Sequence, residues 1–364
     1  VLPIRGGERP HFALSRYDDI REVLRNEGLF SSRANERGAG LVFGRTIIGM
    51  DGRDHLVHRS LITPALAPRA LRGDFPQLVR KLAHAIIDEF AGGGEADLVA
   101  NFTFAYPLRV FVEILGLPPQ DLETFHQLAI DLTLIASDPS KAFEASSKIR
   151  DLLTPLVAEK RRQPGDDLMS HLVLAEVEGE RLSDDDLVSF LRLLVSAGAE
   201  TTFHLMGGAL CALLNDPALL ARVRNDRALI DPVLWETLRW EAPVSLLPRE
   251  ATADCEIAGV EIPKGSDLML LLGSANRDEA KFPDPDRFDI DRDNKDHVGF
   301  GLGKHYCAGS RLALLEGRIG LDALLDRLDD LRPRATERAE VIGFAFRGPS
   351  TLPVHFRPSE AAPS

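Results

Sequence analysis

Cysteine is scarce in this chain, with three residues among 364, at positions 211, 255 and 307. A set so small, odd and scattered excludes a disulfide framework and points to a reducing compartment. It leaves no cysteine cluster for an iron–sulfur centre, and no glycine fingerprint for a flavin is present. Positive charge is also in deficit: 43 lysines and arginines stand against 56 acids, a net charge of −13. That balance disfavours a general affinity for nucleic acid or an anionic membrane, while a local basic patch could still meet an acidic partner. No apolar run approaches the roughly 20 residues a membrane helix requires. The opening "VLPIRGGERP" has no signal-peptide layout. What remains is a soluble globular composition, 44 % hydrophobic, read as cytoplasmic and able to bury a sizeable core.

No internal repeat and no linker divides the chain, so residues 1–364 are expected to form one domain. "HFALSRYDDIREVLRN" reads as a short strand and then a helix, with Ser15 as its cap. The glycine-dotted segment 34–50 reads as a loop. Helical periodicity then dominates, over roughly 55–67, 76–91, 105–115, 119–136, 141–162, 184–214, 217–225 and 229–240. After Pro243 the character changes. "CEIAGVEIPKG" is expected to be a hairpin turning at Ala258-Gly259, and "DLMLLLGSAN" an apolar strand. A last helix, about 308–329, precedes strands near 341–346 and 352–356. The fold class is mostly α, with a smaller β portion towards the two ends.

The stretch "VGFGLGKHYCAG" places Cys307 in a glycine-rich turn at the mouth of the last helix. Free backbone N–H groups and the helix dipole favour thiolate there, priming Cys307 as a nucleophile or metal ligand. A buried cysteine in a tight turn is the plainer alternative. Gly301, Gly303 and Gly309 let the backbone approach something flat and close. On the long helix, capped by Ser183, Leu194, Ala197 and Thr201 share one face. The small pair Ala197-Gly198 thins that helix enough for a planar group to lie against it, and Glu200 adds a carboxylate beside the Thr201 hydroxyl. Glu236 and Arg239 are spaced to pair on one helix face, in most proteins an everyday surface pair. His55 and Arg59 lie one turn apart, and Arg249 and His305 are further basic residues. His58 reads as solvent-facing.

Together these residues carry a resemblance. Phe300, Gly303, Cys307 and Gly309 match F-x-x-G-x-x-x-C-x-G, the haem-thiolate signature of the cytochrome P450 family, a pattern expected by chance on the order of once in a thousand such chains. Ala197, Gly198, Glu200 and Thr201 are similar to the family's A-G-x-(D/E)-T motif. Glu236 and Arg239 resemble its E-x-x-R motif, with Arg287 as the matching third member. The motifs follow family order along nearly the whole chain, although the usual N-terminal lead-in looks shortened. The resemblance implies a triangular helical prism with haem b between the long central helix and the cysteine loop.

By the same resemblance, Cys307 would be the axial iron ligand, and His55, Arg59, Arg249 and His305 would hold the two haem propionates. Ala197, Gly198, Phe300, Gly301 and Gly309 would border the cofactor. The central helix would be locally distorted, with Glu200 and Thr201 delivering protons. The implied reaction inserts one atom of O2, the co-substrate, into a C–H bond of a hydrophobic small molecule such as a terpenoid, steroid, fatty acid or polyketide. Pocket walls are expected from the 34–50 loop, Leu194, Ala197, Val244, Leu246 and either Phe344 or Phe346. Electrons would come from a ferredoxin-type donor and its reductase, docking near Lys304, Arg311, Arg69 and Arg72. Competing readings are a peroxide-driven hydroxylase, a non-catalytic haem-thiolate binder, and a thiol enzyme using Cys307 with His305.

Overall fold

A computed structural model describes residues 1–4, 9–66, 74–117, 122–134, 138–293, 296–334 and 338–359. Its α-helices are α1 (Tyr17–Arg25), α2 (Ala39–Phe43), α3 (Gly52–Ile62), α4 (Phe75–Asp88), α5 (Ala105–Leu115), α6 (Leu122–Thr133) and α7 (Pro139–Arg162). They continue with α8 (Leu168–Leu174), α9 (Asp184–Val195), α10 (Thr201–Asn215), α11 (Pro217–Asn225), α12 (Ile230–Trp240), α13 (Leu272–Ala275) and α14 (Ser310–Arg327). The strands are β1 (Leu2–Ile4), β2 (His11–Leu14), β3 (Phe30–Ser31), β4 (Glu95–Asp97), β5 (Leu246–Ala251), β6 (Cys255–Ile257), β7 (Val260–Ile262), β8 (Asp267–Leu271), β9 (Leu328–Pro333) and β10 (Pro353–Pro358).

One sheet has the order β1-β2-β8-β5-β3, in which β2 and β8 are parallel and the other neighbours antiparallel. A second, antiparallel sheet runs β4-β10-β9, and β6–β7 form the expected hairpin. Ala258 and Gly259 turn that hairpin with φ of 49° and 79°, the backbone a two-residue loop requires.

Several expectations shift. Helix α1 is capped at Arg16 rather than Ser15, and no side chain caps it. The 34–50 segment holds a 3-10 turn (Ser32–Arg37) and α2, both too short for a helical period to show. Instead of strands, 341–346 makes only isolated bridges, Ile342 to Gly348 and Val244 to Phe346. The last helix ends at Arg327 because Leu328 turns extended and enters β9.

The long helix expected over 184–214 is one rod in two parts. Ser183 caps α9 through the Asp186 N–H, with Asp184, Asp185 and Asp186 in the first turn facing the positive end of the dipole. At Ser196–Glu200 the rod widens into a π turn before resuming as α10. Leu205 through Leu214 are all buried, so α10 is apolar on every side and lies inside the core. Among the described residues no single helix is long and apolar enough to cross a membrane.

Candidate active site

The cysteine loop is a tight reversal held by its own backbone. The Cys307 N–H donates to the Phe300 carbonyl at 2.9 Å, and the Gly301 N–H to Val298 O at 2.9 Å. Gly301 and Gly303 have φ of 70° and 74°, a region closed to most side chains. Gly303 also lies against the backbone of α1, where a Cβ would sit 2.7 Å from the Leu24 carbonyl. Gly309, by contrast, has an ordinary φ of −88°, and among the described residues no atom lies near its missing Cβ. At the thiol, burial works against the thiolate that the helix mouth favours. Burial pushes Cys307 up, and the Gly309 and Ser310 backbone and Arg59 offset this only in part. Full ionisation of the sulfur would come from a bound metal.

Beneath the loop sits the expected ion pair. Glu236 and Arg239 are both fully buried and joined at 2.7 and 2.9 Å. Arg239 is otherwise spent on the carbonyls of Asn276, Pro285 and Arg287, which ties α12 to the irregular 281–293 segment. The third member differs from expectation. The Arg287 side chain is 70 % exposed and among the described residues reaches only Asp289, so it contributes its carbonyl to Arg239. Arg292, 11 % exposed, brings its Nε to 3.5 Å from Glu236 Oε1. A buried carboxylate recruits whichever cation the chain path delivers inward.

The basic quartet converges. The His55 and His305 rings stack at 3.9 Å, Ser32 Oγ meets His305 Nε2 at 3.0 Å, and Arg59 donates to the Tyr306 carbonyl at 2.6 Å. The side chain of Arg249, 4 % exposed, bonds among the described residues only to the neighbouring Pro248 carbonyl. Among the described residues none of the four has a carboxylate in ion-pair reach, and buried His55 Nε2 has no hydrogen-bond partner.. Burial and the neighbouring cations push His305 down to about 3, and burial likewise lowers His55. Buried and half-buried donors without acids in reach suit a ligand that brings two carboxylates. The donor set therefore fits haem propionates. His58 belongs to a different setting. It is largely covered, its Nε2 3.8 Å from Asp186 on α9, not solvent-facing.

Between the loop and the π turn lies a cavity of about 290 Å³. Cys307, Phe300, Gly301, Gly309, His55, Arg59 and His305 border it on one side, and Leu194, Ala197, Gly198 and Thr201 on the other. Thr201 spans the π turn by donating its hydroxyl to the Ala197 carbonyl at 2.6 Å. Gly198 answers to packing as well, since a Cβ there would press on Phe111 of α5 at 3.3 Å. Glu200 is turned away from the cavity lining. Ser196 Oγ meets its Oε2 at 3.2 Å, and burial raises it to about 7.

A family model for cytochrome P450 matches residues 120–337. The chain is 36 % identical to cytochrome P450 107B1 of Saccharopolyspora erythraea, over 89 % of this chain and 83 % of that one. The chain belongs to the cytochrome P450 family. It is also 34 % identical to a steroid C26-monooxygenase of Mycobacterium tuberculosis, over 95 % of each chain. The crystal structure of CYP109E1 from Bacillus megaterium with testosterone superposes with a TM-score of 0.88 at 29 % identity, covering 97 % of this chain and 95 % of that one. The protein is thus a P450 monooxygenase of small molecules with the mostly helical fold of its bacterial relatives, a family whose cofactor is thiolate-bound haem.

This P450 builds its pocket walls partly from residues the sequence did not mark. Val244 lines the cavity as expected, but Leu246 does not: neighbouring Leu247 does, because successive strand residues face opposite ways. Phe346 lies outside the lining, stacked on His204, and Phe344 is 68 % exposed. Ile47 and Ile48 represent the 34–50 segment, joined by Phe111, Leu168 and Phe190. No motif flags such residues, since any apolar helix face looks alike in sequence. Of the expected docking cations, Lys304 pairs with Glu27 at 3.1 Å, while Arg69 and Arg72 lie outside the described residues.

Proposed function

We propose that this P450 hydroxylates an unactivated C–H bond of an apolar small molecule, with a steroid as the foremost class. The carrying observation is a single apolar cavity with a thiol at one end, a hydroxyl-bearing π turn at the other and acid-free basic groups along its side. In this reading Cys307 Sγ holds the iron of haem b, and His55, Arg59, Arg249 and His305 hold its propionates. When bound, that group supplies activation of O2, with the thiolate favouring O–O cleavage.

The chain's own residues do the rest. Thr201 presents a hydroxyl to the cavity from a helix opened by the π turn, and Glu200 stores a proton behind it at near-neutral pH. Ile47, Leu194 and Leu247 exclude water and orient the substrate by shape. The steroid class draws on those apolar walls, on the Mycobacterium tuberculosis relative's name and on the testosterone complex of CYP109E1. We infer a ferredoxin-type donor and its reductase as the electron source. Arg311, exposed one turn beyond Cys307 and without an ion pair among the described residues, is the cation we assign to its docking.

Cys307→Ser tests the reading. Its purified form is expected to lose the red-shifted ferrous-carbonyl band and all donor-driven product formation. Retention of band and turnover would overturn it. A wild type that turns over steroids with peroxide alone, and not with donor and reductase, would favour the peroxide-driven alternative.

A further inference from the structure

Ser196, Glu200 and His204 stand one turn apart along the rod that joins α9 to α10, on a face the cavity does not include. His204 Nε2 lies 4.0 Å from Glu200 Oε1, with only 14 % and 12 % of the two side chains exposed. One side-chain rotation or one bridging water closes that gap. The other ring nitrogen, Nδ1, is buried and has no hydrogen-bond partner among the described residues. Its position is fixed by backbone: a Cβ at Gly348 would collide with it. Phe203, at 4.3 Å between ring centroids, and Phe346, at 6.4 Å, flank the imidazole. The bridged 342–348 turn thus keeps a slot for an imidazole against a buried acid, at the expense of an unpaired polar atom. A buried orphan of this kind calls for a use.

We propose that His204 is the proton-exchange partner of Glu200, so that the row Ser196–Glu200–His204 carries protons to the Thr201 side of the π turn. The inference rests on the haem-thiolate reading above. A proton from a solvent water that reaches Nδ1 enters the ring as the Nε2 proton passes to the ionised Glu200 Oε1. The carboxyl then gives its proton toward the Thr201 hydroxyl, and the ring regains its first tautomer by exchanging protons with water. No electrons move, and the ring returns neutral. Burial supports the arrangement from both ends, holding Glu200 near 7 and His204 down at about 4, so a proton rests on the acid and only visits the imidazole. Among the described residues no other charge on the packed elements dictates this. On the 342–348 turn Arg347 is engaged by Glu241 and the Gly343 carbonyl. Asp131 of α6 pairs with Lys141, Arg109 of α5 pairs with Glu89, and Glu113 of α5 is exposed.

The test uses holoenzyme throughout. In the ferrous-carbonyl protein, the nitrogen-15 resonances of His204 should shift with a midpoint of about 7, the titration of its neighbour, and lose that transition in Glu200→Gln. His204→Phe preserves the ring's shape without its proton. It should keep the carbonyl spectrum and substrate affinity, raise the solvent isotope effect on turnover, and lower product formed per electron by roughly tenfold. His204→Gln should recover part of that loss. Gly348→Ala, which displaces the ring without touching Glu200, should reproduce it. His204 resonances indifferent to Glu200→Gln, or a His204→Phe enzyme with wild-type isotope effect and coupling, would overturn the proposal alone. A wild type lacking the carbonyl spectrum overturns this proposal and the haem reading together.

Discussion

The two sides of the cavity are built by different rules. On the cysteine side, twelve consecutive residues from Val298 to Gly309 fold on themselves, two glycines adopt left-handed φ, and a fully buried ion pair braces the segment beneath. On the opposite side the wall is gathered from the 34–50 segment, α5, α8, α9 and β5, and almost every contribution is an apolar side chain. Local backbone demands tolerate few residue types, whereas an apolar wall accepts any side chain of suitable volume. The first side is therefore rigid and written in motif form. The second is free to vary with substrate.

The severest way to break the contrast is to remove Glu236. Glu236→Ala strands a buried Arg239, and urea denaturation should show a loss of about 3–5 kcal/mol. Arg292→Ala should cost about 1–3 kcal/mol, and Arg287→Ala no more than about 0.5 kcal/mol, despite the latter's place in the sequence motif. Equal losses at 287 and 292 would refute the assignment of Arg292.

Glu200 sharpens the comparison through pH. Burial raises its carboxyl from 4.5 to about 7, so the fold favours the neutral form. The associated stability is complete below 4.5 and is lost as pH rises through about 7. Glu200→Gln should therefore match wild type in acid and exceed it by up to about 3 kcal/mol above about pH 8, in denaturant titrations at several pH values.

Two glycines of the cysteine loop separate fold from cofactor. Gly303→Ala meets both a left-handed φ and the Leu24 carbonyl, and should destabilise by about 1–3 kcal/mol. Gly309→Ala meets no protein atom, so its melting point should hold while its haem content falls. The smallest effect belongs to the opposite wall. Leu247→Ala should weaken ligand-induced spin shifts by roughly tenfold and Leu246→Ala by less than about twofold, with haem content unchanged in both.

Legibility in the sequence tracked this division. The helices α5 and α11 were read to the residue, because apolar period and proline or glycine boundaries agree there. The cysteine loop, the Glu236–Arg239 pair and the basic quartet were readable too, since each residue type is scarce or costly where it stands. Arg287 was misread because spacing shows that a cation is near without showing which way it points. Leu246 was misread by one residue, the step that turns a strand side chain to the other face. His204 carried no signal at all, for its meaning depends on Gly348, 144 residues away in the chain.

The sequence by itself determined the family, the shape of the cysteine loop and the run of helices, because these follow from contiguous residues obeying local backbone and helix rules. Which arginine neutralises the buried glutamate, which leucine lines the cavity and where Glu200 turns were decided only when distant segments packed. Burial then set the charge states and the directions of side chains that, taken one by one, had several equally cheap choices.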